Sequence, residues 1–154
     1  MDRRGRKTRD RGLMRAGLLA LAGMYTITAV WMLFFPHSFY RDFPGLGRHW
    51  VSPLGPYNEH LVTDLGGALL GVSAALWLAA VLLERNLTLV VLVLTLVQST
   101  SHFVYHLRHL HALPAVDSLL GQATLAVPMV LVLFVFCLVR RADGSGSDRR
   151  GVPK

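Results

Sequence analysis

Four apolar blocks divide the 154-residue chain: Leu13 to Phe35, Leu61 to Leu83, Leu87 to Leu107 and Val116 to Val139. Each is close to the roughly 20 residues that cross a hydrocarbon core about 30 Å thick. A soluble fold would have to bury all four on every side, and so short a chain lacks the bulk to do it. The blocks predict an all-α fold, an integral membrane antiparallel four-helix bundle with spans at about 13–35, 61–83, 87–107 and 116–139.

Arg3, Arg4, Arg6, Lys7, Arg9 and Arg11 precede the first block, as in the n-region of a secretory signal. Signal h-regions stop after about 7 to 15 residues at a small-residue cleavage site. This block continues through Trp31, Phe34 and Phe35 and reads as a retained helix.

The net charge of +7 raises nucleic acid as a partner. The cations gather at the chain ends, however: residues 1–15 hold seven Arg or Lys against two Asp, and residues 140–154 hold five against two. No nucleic acid is expected. The positive-inside rule instead predicts a multi-pass protein of the cell membrane with both termini cytoplasmic, N-in/C-in, and an even number of spans is consistent with that. Residues 1–12 then form a basic cytoplasmic segment able to meet anionic headgroups of the lipid bilayer. Residues 140–154, rich in Gly and Ser, are expected to be a disordered cytoplasmic tail. The connection 36–60 falls outside as an interfacial loop, with Phe39, Tyr40, Phe43, Trp50 and Tyr57 suited to the headgroup level. Cys137 is the single cysteine, which excludes an intrachain disulfide, a paired-thiol redox centre and a multi-cysteine zinc site.

The third block ends in "SHFVYHLRHLH", Ser101 to His111, with four of the seven histidines. At about 100° per residue, Thr95, Gln98, Ser99, His102, His106 and His109 share a stripe that should turn away from lipid. In the second block His60, Asp64, Gly67, Gly71, Ala75 and Ala79 form another stripe, and small residues at such spacing permit close helix contact. Pairing the two stripes predicts an outer-leaflet pocket lined by His60, Asp64, Gln98, His102 and His106, with Gly67 and Gly71 at the helix contact. Asn58 is read as a helix cap, and Glu59, Asp117, Arg108 and His109 as complements to helix dipoles. His111 is read as a solvated loop residue.

Asp64, His102 and His106 lie within the spans, where ionisable groups are costly and tend to be functional. An Asp64–His106 hydrogen bond could serve as interhelical glue alone. As a metal site, His102 and His106 would grip one ion as an i, i+4 pair, with Asp64 or His60 completing the shell. Haem would need a second imidazole from His60, His37 or His49. A proton-linked transporter could use the same groups and would call for a homodimer. No nucleophile constellation, thiol pair or cofactor fingerprint is visible, so the leading expectation is a membrane module binding a small-molecule ligand or metal ion. A haem- or metal-dependent oxidoreductase subunit and a proton-coupled transporter subunit are the alternatives.

At "FYRDFPGLGRHWV", "GPYNEHLVTDLGG" and "HFVYHLRHL" the chain resembles small four-span bacterial membrane proteins, broadly DoxX-like in shape, over roughly residues 13–139. That resemblance implies a compact antiparallel bundle and no particular activity. The small multidrug exporters are a poorer match, because they rely on an acidic residue in the first span and none lies between Ala16 and Phe35.

Overall fold

The computed structural model describes residues 3–147, with side chains from 5 to 141. Four long helices dominate: α1 (Arg3–Phe34), α3 (Glu59–Leu82), α4 (Arg85–Arg108) and α5 (Ala115–Ser147). All four are long and apolar enough to cross a membrane. Between α1 and α3 lie a short helix α2 (Pro36–Asp42), a two-stranded antiparallel hairpin of β1 (Pro44–Gly45) and β2 (Arg48–His49), and a 3-10 turn at Ser52–Leu54.

The helix ends follow local chemistry. α1 stops before Pro36, and Phe35 leaves the helical region at φ −138° and ψ 53°, as the following proline disfavours helical backbone at that position. Asn58 caps α3 by accepting the Leu61 N–H at 3.1 Å. α3 ends at Leu83, whose left-handed φ of 49° reverses the chain while its N–H bonds to Ala79 O. Glu84 follows at once as the cap of α4, its carboxylate accepting Asn86 N–H at 2.9 Å and Leu87 N–H at 2.6 Å. This two-residue link forces α3 and α4 to run antiparallel.

The two outer helices are longer than the blocks suggest. α1 begins at Arg3, so the basic segment is helical, as Arg and Lys readily are. α5 continues to Ser147, whereas a disordered tail was expected from residue 140. Extending a formed helix adds a bond per residue without a new nucleus, and Arg140, Arg141 and Ala142 are good helix formers. The remaining tail positions, 148–154, lie outside the described residues.

α1 packs against α3 over most of its length and also against α5, while α4 packs on α5 and, less extensively, on α3. Leu18, Leu21, Ala22 and Ala29 of α1 are fully buried with Leu76 and Ala79 of α3 and Val135 of α5. Close approach occurs at two glycines. A Cβ on Gly17 would lie 2.5 Å from Val135 Cγ2, and one on Gly66 would lie 2.9 Å from Met32 Cβ and 3.1 Å from the Leu33 backbone nitrogen.

These are not the glycines that the sequence pattern selects. Gly67 and Gly71 are exposed, and a Cβ on either would meet nothing within 4 Å. The buried face of α3 runs through Gly66, Leu69, Ser73, Leu76, Ala79 and Ala80, centred about 150° from the expected stripe, with which it shares Ala79 alone. The reason is the partner: α3 turns its closest face to α1 rather than α4, and in a helix apolar on nearly every side periodicity cannot choose between them.

The exterior is strongly apolar. Ile27, Val81, Val97 and Leu119 are all about two-thirds exposed or more, at 70%, 66%, 65% and 72%. Contiguous apolar surface on this scale marks an interaction surface, of which the bilayer is the largest kind.

Candidate functional site

Two nodes of side-chain hydrogen bonds cross between helices inside the bundle, both built on α1. The Tyr25 hydroxyl crosses to α4, donating to Gln98 Oε1 at 2.6 Å and lying 2.9 Å from Ser99 Oγ. A phenol has one proton, so with that proton on Gln98 the serine is the donor in the second bond. One residue further on, Thr26 Oγ1 meets Ser73 Oγ of α3 at 2.6 Å and accepts Trp77 Nε1–H at 3.1 Å. Ser73 also lies 3.1 Å from Ala22 O. Tyr25 and Thr26 were not singled out from the sequence. The available signal was a Tyr-Thr pair within "GMYTITAV", an apolar run where each hydroxyl must find a partner.

Gln98, a predicted pocket residue, is therefore committed to Tyr25. Thr95 and Ser99 of the same stripe are buried, at 0% and 4% exposure. The stripe continues along α4 as His102 and His106, but the burial ends at Ser99: His102 is exposed and His106 half-buried. The two histidines thus extend the core-facing line of α4 beyond the point where other helices cover it.

Their Nε2 atoms are 3.0 Å apart and their ring centroids 4.9 Å apart. One Nε2 must carry a proton and the other must be bare for this to be a hydrogen bond. Tyr105 stacks on His109 at 4.3 Å between centroids, and His109 Nδ1 donates to Tyr105 O at 2.7 Å. The tautomer that this bond selects leaves Nε2 of His109 as the ring's other nitrogen.

His60 and Asp64 form a separate pair on α3, Nε2 to Oδ2 3.3 Å, both well exposed. The five predicted pocket residues are thus distributed over three contacts: Gln98 with Tyr25, His102 with His106, and His60 with Asp64. The three-residue metal set of His102, His106 and Asp64 is not assembled, because among the described residues no three His, Cys, Asp or Glu side chains are grouped to hold an ion. The physical cause is again the rotation of α3 toward α1. The histidines weighed as second haem ligands have local partners as well: His37 packs edge-on against Tyr57 at 5.2 Å, and His49 Nδ1 donates to Arg41 O at 2.6 Å.

The connection between α1 and α3 forms a folded cap over this end of the bundle. Trp31 of α1 contacts Phe39 and Phe43, with centroids 6.0 and 5.8 Å away, and Phe43 contacts Trp50 at 6.3 Å. The cap is tied to the start of α5 by Asp117, which pairs with Arg48 and accepts Trp50 Nε1–H at 3.0 Å. Sequence reasoning took Asp117 only as a dipole complement. Nothing local in the sequence joins positions 69 residues apart. Within the cap, the Arg41 guanidinium 2.8 Å from Asp42 holds that carboxyl below the usual carboxylate range. A cavity of about 500 Å³ lies beneath the hairpin, lined by Leu46, Arg48, His49, Pro53, Pro114 and Asp117 among others, and none of the predicted pocket residues lines it.

Compared with protein-family models, curated proteins and solved structures, the chain matches none.

Proposed function

We propose that this chain is a multi-pass membrane protein of the cell membrane, with both termini cytoplasmic, whose His102/His106 pair binds a divalent transition-metal ion at the outer mouth of the bundle. The observation that carries the metal reading is the 3.0 Å separation of the two Nε2 atoms on successive turns of α4. A tetrahedral ion with metal–nitrogen bonds near 2.0–2.1 Å needs its two imidazole nitrogens about 3.3 Å apart. The pair comes within a few tenths of an ångström of that bite. Binding would require both rings in the Nδ1–H tautomer, so the ion replaces the hydrogen bond between them. Two protein ligands leave the remaining positions to water or a small-molecule ligand, which suits an exchangeable ion better than a permanent structural one.

Haem is less well supported by the same geometry. Its axial imidazoles stand on opposite faces of the ring, whereas His102 and His106 share one face of one helix. The apolar exterior supports the membrane reading, and the basic residues at both chain ends support the orientation. The likeness in shape to DoxX-like proteins belongs to the same proposal and brings no activity with it.

Metal binding is tested by titrating Zn²⁺ or Ni²⁺ into the purified full chain in mild detergent and following heat and bound ion together. One ion per chain is expected, lost in His102→Ala and in His106→Ala and retained in His60→Ala. Equal binding by the wild type and a His102→Ala/His106→Ala variant overturns the site. Orientation is tested with alkaline phosphatase fused after Gly47, expected active, and after Lys154, expected inactive. The opposite pair of results overturns the orientation.

A further inference from the structure

The end of the bundle away from the cap carries a second cavity, of about 620 Å³, lined by Lys7, Thr8, Arg11, Gly12 and Arg15 of α1 and by Leu83 at the close of α3. We propose that this basic cavity binds the phosphate of an anionic phospholipid headgroup in the leaflet where α1 begins.

The helix geometry concentrates the charge. Lys7, Arg11 and Arg15 recur every four residues, so their directions on α1 span only about 80°. Asp10 falls about 140° from Arg15 and 100° from Arg11 but only about 60° from Lys7, and among the described residues no carboxylate lines the cavity. Gly12 adds room, since a Cβ there would meet nothing within 4 Å.

The opposite wall would repel an anion if the carbonyl end of α3 were bare. Two of its last four carbonyls are occupied. Ala79 O accepts the Leu83 N–H at 2.8 Å, and Ala80 O accepts Nε–H of Arg15 at 3.1 Å. That second bond also fixes Arg15 across the α1–α3 contact, setting a guanidinium in the wall of the cavity. Glu84, the carboxylate that follows Leu83 in the chain, is occupied with the Asn86 and Leu87 N–H groups.

Position then selects the source of the phosphate. The cavity lies where the charged turns of α1 give way to its apolar run from Ala16 onward, the level at which a spanning helix meets headgroups. Basic pockets between helices at that level suit phosphate-bearing lipids, and the volume is within the common range of about 300–1,000 Å³ for small-ligand sites.

The inference rests on insertion in a bilayer, as proposed above, so the experiment checks that first. The full chain is reconstituted into vesicles of phosphatidylcholine with phosphatidylglycerol and washed with alkaline carbonate. Release of the protein into the wash refutes the membrane reading itself. With insertion established, phosphatidylglycerol retained per chain is counted by native mass spectrometry for the wild type, Lys7→Gln/Arg11→Gln and Arg6→Gln/Arg9→Gln. Both variants remove two charges from the same helical segment and keep Arg15, but only the first removes them from the cavity. A roughly thirtyfold loss is expected for the first, with most binding kept by the second. Equal losses overturn the site and leave general attraction to the surface. A competition arm adds inorganic phosphate to the phosphatidylglycerol sample, with little displacement expected. If millimolar phosphate displaces the lipid, the cavity is a site for free phosphate and the lipid proposal fails.

Discussion

Tyr25 and Gln98 are joined across the bundle by a 2.6 Å hydrogen bond between helices that otherwise share little surface. In an apolar interior both groups need that partner, and Ser99 at 2.9 Å closes the node.

Tyr25→Phe is expected to destabilise the protein by about 1 kcal/mol, the scale of single interhelical hydrogen bonds in membrane proteins. Reversible unfolding in mixed micelles measures it. In a double-mutant cycle with Gln98→Leu the second change should cost less once the first is made. Strict additivity would show that the bond carries no energy.

Gly66→Ala and Gly71→Ala should differ sharply although they lie five positions apart. The first drives a methyl to within 3.1 Å of the Leu33 backbone nitrogen, and overpacking of this kind costs about 1–3 kcal/mol. The second enters open space and should be neutral or mildly stabilising in a helix. Thermal melting of the two variants decides it, and a larger loss in Gly71→Ala would mean that the exposed face of α3 is packed in solution.

Glu84 should confer a pH dependence. The Leu87 and Asn86 N–H groups hold its carboxyl below the ordinary value, so the folded state favours the charged form. Its contribution is therefore complete above the unfolded pKa of about 4.3 and is lost as pH falls through the lower folded value. Melting temperatures of the wild type and Glu84→Gln between about pH 6 and pH 3 should converge toward the acid end. Parallel curves would exclude the cap as the source.

Asp117→Ala should loosen the cap without unfolding the bundle, because the Arg48 pair and the Trp50 bond both end on that carboxylate. A red shift in Trp50 emission, read in a Trp31→Phe/Trp77→Phe background, and faster proteolysis between residues 36 and 58 are the expected signs. An unchanged spectrum and digestion rate would show that the aromatic contacts suffice.

The number of long helices and most of their ends could be read from the chain, because those depend on local matters: the length of each apolar run, the proline at 36, the asparagine at 58. So could the separation of the basic ends from the apolar middle and the line of polar residues along α4, since a helical stripe is a property of one segment. Which faces meet was decided only in three dimensions. α3 is apolar on nearly all sides, so Gly66 and Gly67 look alike in sequence, and contact with Met32 and Leu33 of α1 distinguishes them. That rotation leaves His60 and Asp64 as a pair of their own and keeps Asp64 out of the His102/His106 contact. Tyr25 with Gln98, Arg48 with Asp117 and Arg15 with Ala80 follow the same rule: each joins residues 65 or more positions apart, and no local preference of either partner encodes the other.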